Sequence, residues 1–356
     1  MSHLKSIIYS NSPEKFLNNQ PVIPLRFDLT PINKPVSLIA TIKNEQKSIP
    51  PWFESIYAGD LLPDEIIIVD GGSTDNTLDI LTDQSSTSPV PLIIISIVDA
   101  NIAQGRNAAI NQATCPIISV TDFGCRPKKD WLKKLIFPFC HNSDIDVVAG
   151  WYQAVDRHGK RLKLRRWPSL DQIDPENFIP SSRSIAFKKT AWEATGGYPE
   201  WLTLTGEDTL YAMELKNVTK LWAFAPEAVV EWHAPDTLID YWKKQYYWSF
   251  GDGEAGINTN YYRKLTAQLA LLLVILILAT TLLIVFAYPI NIIIAGLFLL
   301  AITISISVIL VKQWKDGYSY SSMFWEVGAK ISQNLGFLRG LLNRKSVMKR
   351  RIEMLK

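Results

Sequence analysis

Forty-seven consecutive residues, Leu265 to Val311, contain no Asp, Glu, Lys, Arg or His. No other feature restricts the fold of this chain as severely. One bilayer crossing takes about 20 apolar residues, so the run predicts two crossings joined by a tight link at Tyr288-Pro289-Ile290-Asn291. Arg263 and Lys264 precede the first crossing, Lys312 and Lys315 follow the second, and the link is uncharged. Basic flanks stay on the cytoplasmic side. The expectation is a multi-pass cell-membrane protein with its large N-terminal part and its C-terminal tail in the cytoplasm.

That divides the chain into four parts. Residues 1–35, punctuated by prolines, suggest an irregular extension, and 36–260 a catalytic-sized α/β domain. Residues 261–311 form the hairpin, and 312–356 an interfacial amphipathic tail. In the tail Met323, Phe324, Val327, Ile331, Leu335 and Leu338 recur at near-helical spacing ahead of Arg344, Lys345, Lys349, Arg350 and Arg351. This pattern suits a helix lying on a membrane, with a partner-binding helix as the alternative. Aromatic residues between Tyr241 and Tyr262 favour the same interface or ordinary core packing.

Within the domain, Glu65 to Thr77 (EIIIVDGGSTDNT) has the form of a buried strand, an aspartate, a glycine turn and a helix start. Four apolar residues, Ile66 to Val69, suit a strand covered on both faces. Ser73 or Thr74 is placed to cap the following helix, over Thr74 to Leu81. Further strands are expected at Val36–Ile42, Leu92–Val98 and Ile117–Val120, and a helix at Pro51–Tyr57. Strands alternating with helices indicate a doubly wound, mostly parallel sheet. A net charge of +3 is too small and too dispersed for a nucleic-acid binder. Cys115, Cys125 and Cys140 form no CxxC pair, as expected of reduced thiols. The apolar N-terminus, Ile7 to Tyr9, is too short for a secretory signal.

Three acids fall at or just beyond strand ends: Glu45, Asp70 and Asp122. Ligands of open α/β sheets collect there. Carboxylates at such positions can bind ribose hydroxyls, base N–H groups, or Mg²⁺ or Mn²⁺ that in turn binds phosphate. Arg106 is placed to meet a diphosphate or a base. The basic run RHGKRLKLRR at 157–166 suits a solvated face or an acidic acceptor.

KNE at 43–45, VDGGSTDNT at 69–77, QGRNAAI at 104–110, TDFG at 121–124 and TGEDTLYAMEL at 205–215 together resemble the family 2 glycosyltransferases of GT-A fold, over residues 36–255. The resemblance implies a nucleotide-sugar donor site built from Glu45, Asp70, Arg106 and Asp122, with inversion at the anomeric carbon. It implies that Asp208 is the base removing the acceptor hydroxyl proton, with Glu207 orienting it. His233 matches the family's histidine that approaches the metal or diphosphate, making Asp122 and His233 the candidate metal residues. Ser182 and Arg183 are weaker candidates for the acceptor pocket. Two departures stand out: Gly71 and Gly124 occupy positions where the family often has a second aspartate. The reading is an inverting, membrane-anchored transferase acting on a lipid-linked or membrane-proximal acceptor at the cytoplasmic face. A divalent metal is its expected cofactor, and a catalytically silent scaffold is the alternative.

Overall fold

The computed structural model describes residues 5–11, 22–27, 32–156, 158–162, 173–174, 178–285 and 320–354. The expected link at 288–291, the second crossing and half of the basic run at 157–166 lie outside them. The chain divides into two units, Met1–Ala234 and Pro235–Lys356.

The first unit is built on a ten-stranded sheet. Its strands are β1 (Lys5–Tyr9), β2 (Val22–Ile23), β3 (Val36–Ile42), β4 (Glu65–Asp70), β5 (Leu92–Ser96), β6 (Ile117–Val120), β7 (Cys125–Pro127), β8 (Val147–Val155), β9 (Ile185–Lys188) and β10 (Leu221–His233). Their order is β2-β1-β10-β8-β9-β6-β3-β4-β5, with β7 paired to β10. β9 runs antiparallel to β6 and β8, β7 antiparallel to β10, and the other pairs are parallel. The mostly parallel α/β sheet expected from the alternation is therefore present.

Ile66 to Val69 are each at most 1% exposed. Burying each such side chain contributes about 1.5–3 kcal/mol, so a continuous aliphatic run is stable only in a central strand. The N-terminal segment departs from the irregular extension expected over 1–35: β1 runs parallel to β10, with Ile8 and Tyr9 wholly buried. Its short Ile-Ile-Tyr run is too brief to separate from a loop by pattern, and an existing sheet edge supplies its hydrogen bonds.

The crossovers are α1 (Ile49–Tyr57), α2 (Thr77–Thr87), α3 (Ile102–Gln112), α4 (Trp131–His141), α5 (Lys189–Thr195) and α6 (Glu207–Val218). α2 starts three residues later than expected, with Asn76 at its N-cap, because the Ser73 hydroxyl is taken by Asp70. α3 lies close on the sheet: a Cβ at Gly105 would come within 2.8 Å of Thr41 Cγ2. That approach brings the next residue, Arg106, to the strand ends.

Among the described residues the second unit contains α7 (Leu238–Ala255), α8 (Thr259–Val285) and α9 (Tyr320–Met354). Thr259–Leu278 of α8, with mean hydropathy 1.6, is long and apolar enough to cross a membrane. α7 and α9 run parallel, since Trp242 meets Gly328, Tyr246 meets Gly336 and Phe250 meets Gly340. Missing side chains at those glycines let the backbones approach. Gln333 donates to Gln245 at 2.7 Å and Asn343 to Glu254 at 2.6 Å. The tail's apolar stripe is not its packed face: Val327, Ile331, Leu335 and Leu338 are exposed, while Ala329, Gln333, Asn334 and Phe337 are buried.

Candidate active site

The loops after β3 and β4 are laced together. Asn44, in the left-handed region at φ 54°, accepts from the Thr74 backbone at 2.8 Å, and its own N–H donates to Ser73 Oγ at 2.8 Å. The N–H of Glu45 donates to Thr77 Oγ1 at 3.1 Å. Asp70 is 1% exposed. Its carboxylate accepts from Gly72 N–H at 3.1 Å, from Ser73 N–H and hydroxyl, and from Ser96 Oγ at 3.3 Å. Asp70 therefore organises its own turn, in which Gly72 adopts φ 82°. A Cβ at Gly71 would stand 3.1 Å from the Ala100 carbonyl, a tight approach in this turn.

Asp122 is held differently. Arg106, 3% exposed, donates through one Nη to Asp122 Oδ1 at 2.9 Å and through the other to Glu207 Oε1 at 2.7 Å. The Asp122 side chain keeps 34% exposure. The Arg106 guanidinium also lies 5.3 Å from the Tyr198 ring centroid. Burial pulls its pKa down, but Asp122, Glu207, Tyr198 and Asp208 outweigh that, and the net shift is upward. Arg106, expected to meet the donor, is a buried bridge between the end of β6 and the start of α6.

Glu207 and Asp208 open α6, where the helix dipole favours negative charge. Burial, opposed by Arg106 and reinforced by Asp208, pushes the Glu207 carboxyl up to about 7. Asp208 is half-buried: Oδ1 accepts from Thr209 N–H at 2.8 Å and Oδ2 from Ser181 Oγ at 3.3 Å. Ser181 Oγ in turn accepts from Arg183 Nη1 at 2.9 Å. The guanidinium of Arg183 sits 4.9 Å from the Tyr152 ring and 4.8 Å from Trp232. Ser182, expected in an acceptor pocket, is buried, its hydroxyl 3.1 Å from that of Tyr198.

His233 is exposed at the end of β10, and its backbone N–H donates to the Gly124 carbonyl at 3.3 Å. It thus adjoins the Asp122-Phe123-Gly124 loop. Among the described residues no three His, Cys, Asp or Glu side chains cluster as a metal cage. One open carboxylate, one adjacent histidine and a glycine in the second acid's place fit a cation completed by substrate phosphate. Mg²⁺ is commonly held in that way. They do not fit a closed, resident site.

Several positioning residues gave no isolated sequence signal. Asn107 Nδ2 donates to Tyr198 O at 2.9 Å and to Glu200 Oε1 at 2.7 Å, while its Oδ1 accepts from Tyr198 N–H at 2.8 Å. Asn101, the α3 N-cap, donates to the carbonyls of Glu200 and Leu202 at 2.8 and 3.0 Å. One face of α3 therefore fixes the segment that delivers Glu207 and Asp208. Asn107 lies inside the QGRN stretch already singled out. Tyr152, Ser181 and Trp232 come from distant parts of the chain, and only folding assembles them.

Residues 37–195 match the model for Glycosyl transferase family 2 and residues 178–310 that for Glycosyl transferase family group 2. The chain is 22% identical over 209 residues to the O-antigen chain rhamnosyltransferase RfbN of Salmonella typhimurium, covering 55% of this chain and 65% of that one. It is 32% identical over 108 residues to an undecaprenyl-phosphate 4-deoxy-4-formamido-L-arabinose transferase of Yersinia enterocolitica, covering 29% and 33% of the two chains. Its alignments thus span two thirds or less of these relatives. In fold it is similar to the mannosyltransferase PcManGT from Pyrobaculum calidifontis, solved with GDP-Man and Mn²⁺. The TM-score is 0.53, with 17% identity and coverage of 88% and 90%. The ordered motifs, the mostly parallel sheet and the two family-model matches agree in likening residues 37–310 to the family 2 glycosyltransferases.

Proposed function

We propose that the first unit transfers a sugar, with inversion, from a nucleotide-sugar donor to an acceptor hydroxyl. The observation that carries this reading is the bridge through Arg106, 2.9 Å to Asp122 and 2.7 Å to Glu207. It joins the donor-side acid to the acids at the start of α6. Asp208 takes the proton of the acceptor O–H, whose oxygen attacks the anomeric carbon as the bond from that carbon to the diphosphate breaks. Ser181 and the Thr209 N–H hold Asp208, and Arg106 anchors the adjacent Glu207. A divalent cation held by Asp122 and His233 would offset charge on the departing nucleoside diphosphate. Asp70 and Glu45 shape the loops on which the nucleoside would rest.

The acceptor is proposed to be lipid-linked or membrane-proximal, and the transfer to occur at the cytoplasmic membrane face. Support comes from the apolar α8, from the outward apolar stripe of α9 and its basic end, and from the relative named as an undecaprenyl-phosphate transferase. No observation favours a nucleic-acid partner. Gly124 in place of a second acid favours the other reading, a silent scaffold that retains the fold.

Donor turnover by full-length wild type and Asp208→Asn separates the two. Loss of a general base lowers the rate by about 10²–10⁴, with donor binding retained. Donor binding without turnover by the wild type, across a panel of nucleotide sugars and acceptors, would instead establish the scaffold.

A further inference from the structure

Gly124 replaces an acid, and the structure contains what stands opposite it. A Cβ at Gly124 would lie 3.9 Å from Cδ1 and Nε1 of Trp232, so the direction of the absent carboxylate faces that indole. Trp232 also carries the guanidinium of Arg183, which lies against both it and Tyr152, at 4.8 and 4.9 Å from the two ring centroids, while the rings themselves meet edge-on at 6.4 Å. Aromatic faces near a guanidinium hold it by cation–π attraction and restrict its motion. The third restraint is the 2.9 Å hydrogen bond to Ser181 Oγ.

The result is a positive charge fixed beside the Asp122–Gly124 loop and one hydroxyl away from Asp208. Burial pulls the Arg183 pKa down, yet Tyr152, Asp122, Cys125 and Asp208 outweigh it, so the guanidinium stays charged and within electrostatic reach of both acids. Where the usual arrangement has a second carboxylate that tightens a metal, this chain has one negative charge fewer and an oriented cation nearby. A planar guanidinium matches phosphate oxygens through paired N–H donors.

We propose that Arg183, held against Tyr152 and Trp232, is a phosphate-binding residue that takes over part of the charge neutralisation a second metal-holding acid would otherwise support. The ligand is a phosphate group at the boundary between the donor and acceptor halves of the cleft. It belongs either to the donor's diphosphate or to a phosphate on the acceptor. The inference rests on reading the cleft as a glycosyl-transfer site, and it assigns that site a reduced dependence on the metal.

Calorimetric binding to the full-length chain in detergent, with EDTA present, tests it. Pyrophosphate serves as the probe for the donor's diphosphate and phenyl phosphate for an acceptor monoester. The wild type is expected to bind at least one probe without metal, and Arg183→Gln to weaken that binding about tenfold. Weakening of pyrophosphate binding assigns the residue to the donor, and weakening of phenyl phosphate binding to the acceptor. Arg183→Lys, which keeps the charge without the planar fork, is expected to fall between.

Gly124→Asp leaves Arg183 in place, and its Cβ would meet only ordinary van der Waals contacts. It is expected to tighten Mn²⁺ binding in the presence of pyrophosphate and to weaken metal-free binding. Equal affinities for wild type and Arg183→Gln, at unchanged unfolding midpoints, would overturn the assignment, as would wild-type binding of both probes only with Mn²⁺. Failure of the wild type to bind any nucleoside diphosphate, even with Mn²⁺, would instead remove the glycosyl-transfer reading itself.

Discussion

Two aspartates close the two strands that flank β3, and their surroundings differ. Asp70 ends β4 at 1% exposure, its carboxylate occupied by Gly72, Ser73 and Ser96. Asp122 follows β6 with 34% of its side chain exposed and one oxygen held by a buried arginine. The first spends its hydrogen-bonding capacity on its own turn; the second keeps a face open. A strand-end position alone therefore does not make an acid chemical. What separates the two is whether the local backbone or a distant cation satisfies the carboxylate.

The sharpest way to break that comparison is to remove each charge in turn. Asp122→Asn is expected to lower donor turnover by about 10²-fold, as loss of a preorganised electrostatic group does, with little change in unfolding midpoint. Asp70→Asn is expected to do the opposite. It leaves a buried turn with a weaker acceptor, costing about 1–3 kcal/mol of stability, with turnover per folded molecule nearly retained. Kinetics and denaturant unfolding on the two variants check this. Equal kinetic losses would return Asp70 to the donor-contacting role its position suggested.

Arg106→Lys addresses the bridge. A single ammonium cannot present two forked donors to carboxylates on different elements, so one acid loses its partner inside the protein. Breaking such a buried pair costs about 3–5 kcal/mol when one partner is deleted; lysine is expected to cost less. A stability loss with kcat falling more than donor affinity would place the defect on the α6 side. A fall in donor affinity alone would place Arg106 in the donor pocket, as its sequence motif first suggested.

The smallest effect concerns Glu207. Its folded pKa of about 7 lies above the ordinary 4.5, so the folded chain binds an extra proton between those values. By linkage, this contribution to stability is fully present below about 4.5 and is lost as pH rises through about 7. Thermal unfolding from pH 5 to 8 is expected to show a falling midpoint for the wild type and a flatter profile for Glu207→Gln. Parallel profiles would show that Arg106 keeps Glu207 ionised throughout.

Much of the first unit was legible because its signals are local. The Ile66–Val69 run, the glycine turn after it and the alanine-rich α3 each need one kind of partner surface, and the sheet supplies it. Asp122 and the pair at 207–208 stood out because strand ends and helix starts leave backbone groups open. In α9 the apolar residues mark a helix and form an outward stripe, whereas glycines and amides make its contacts with α7.

The sequence by itself determined the mostly parallel sheet, the apolar α8 and the set of acids near strand ends, since hydrophobic period and turn chemistry act over a few residues. Only the tertiary structure decided which of those acids share a cation. Arg106 reaches residues 16 and 101 positions away, and Arg183 lies against side chains from β8 and β10. Such pairings depend on the crossover paths and on how closely α3 approaches the sheet at Gly105, and no local pattern encodes those distances.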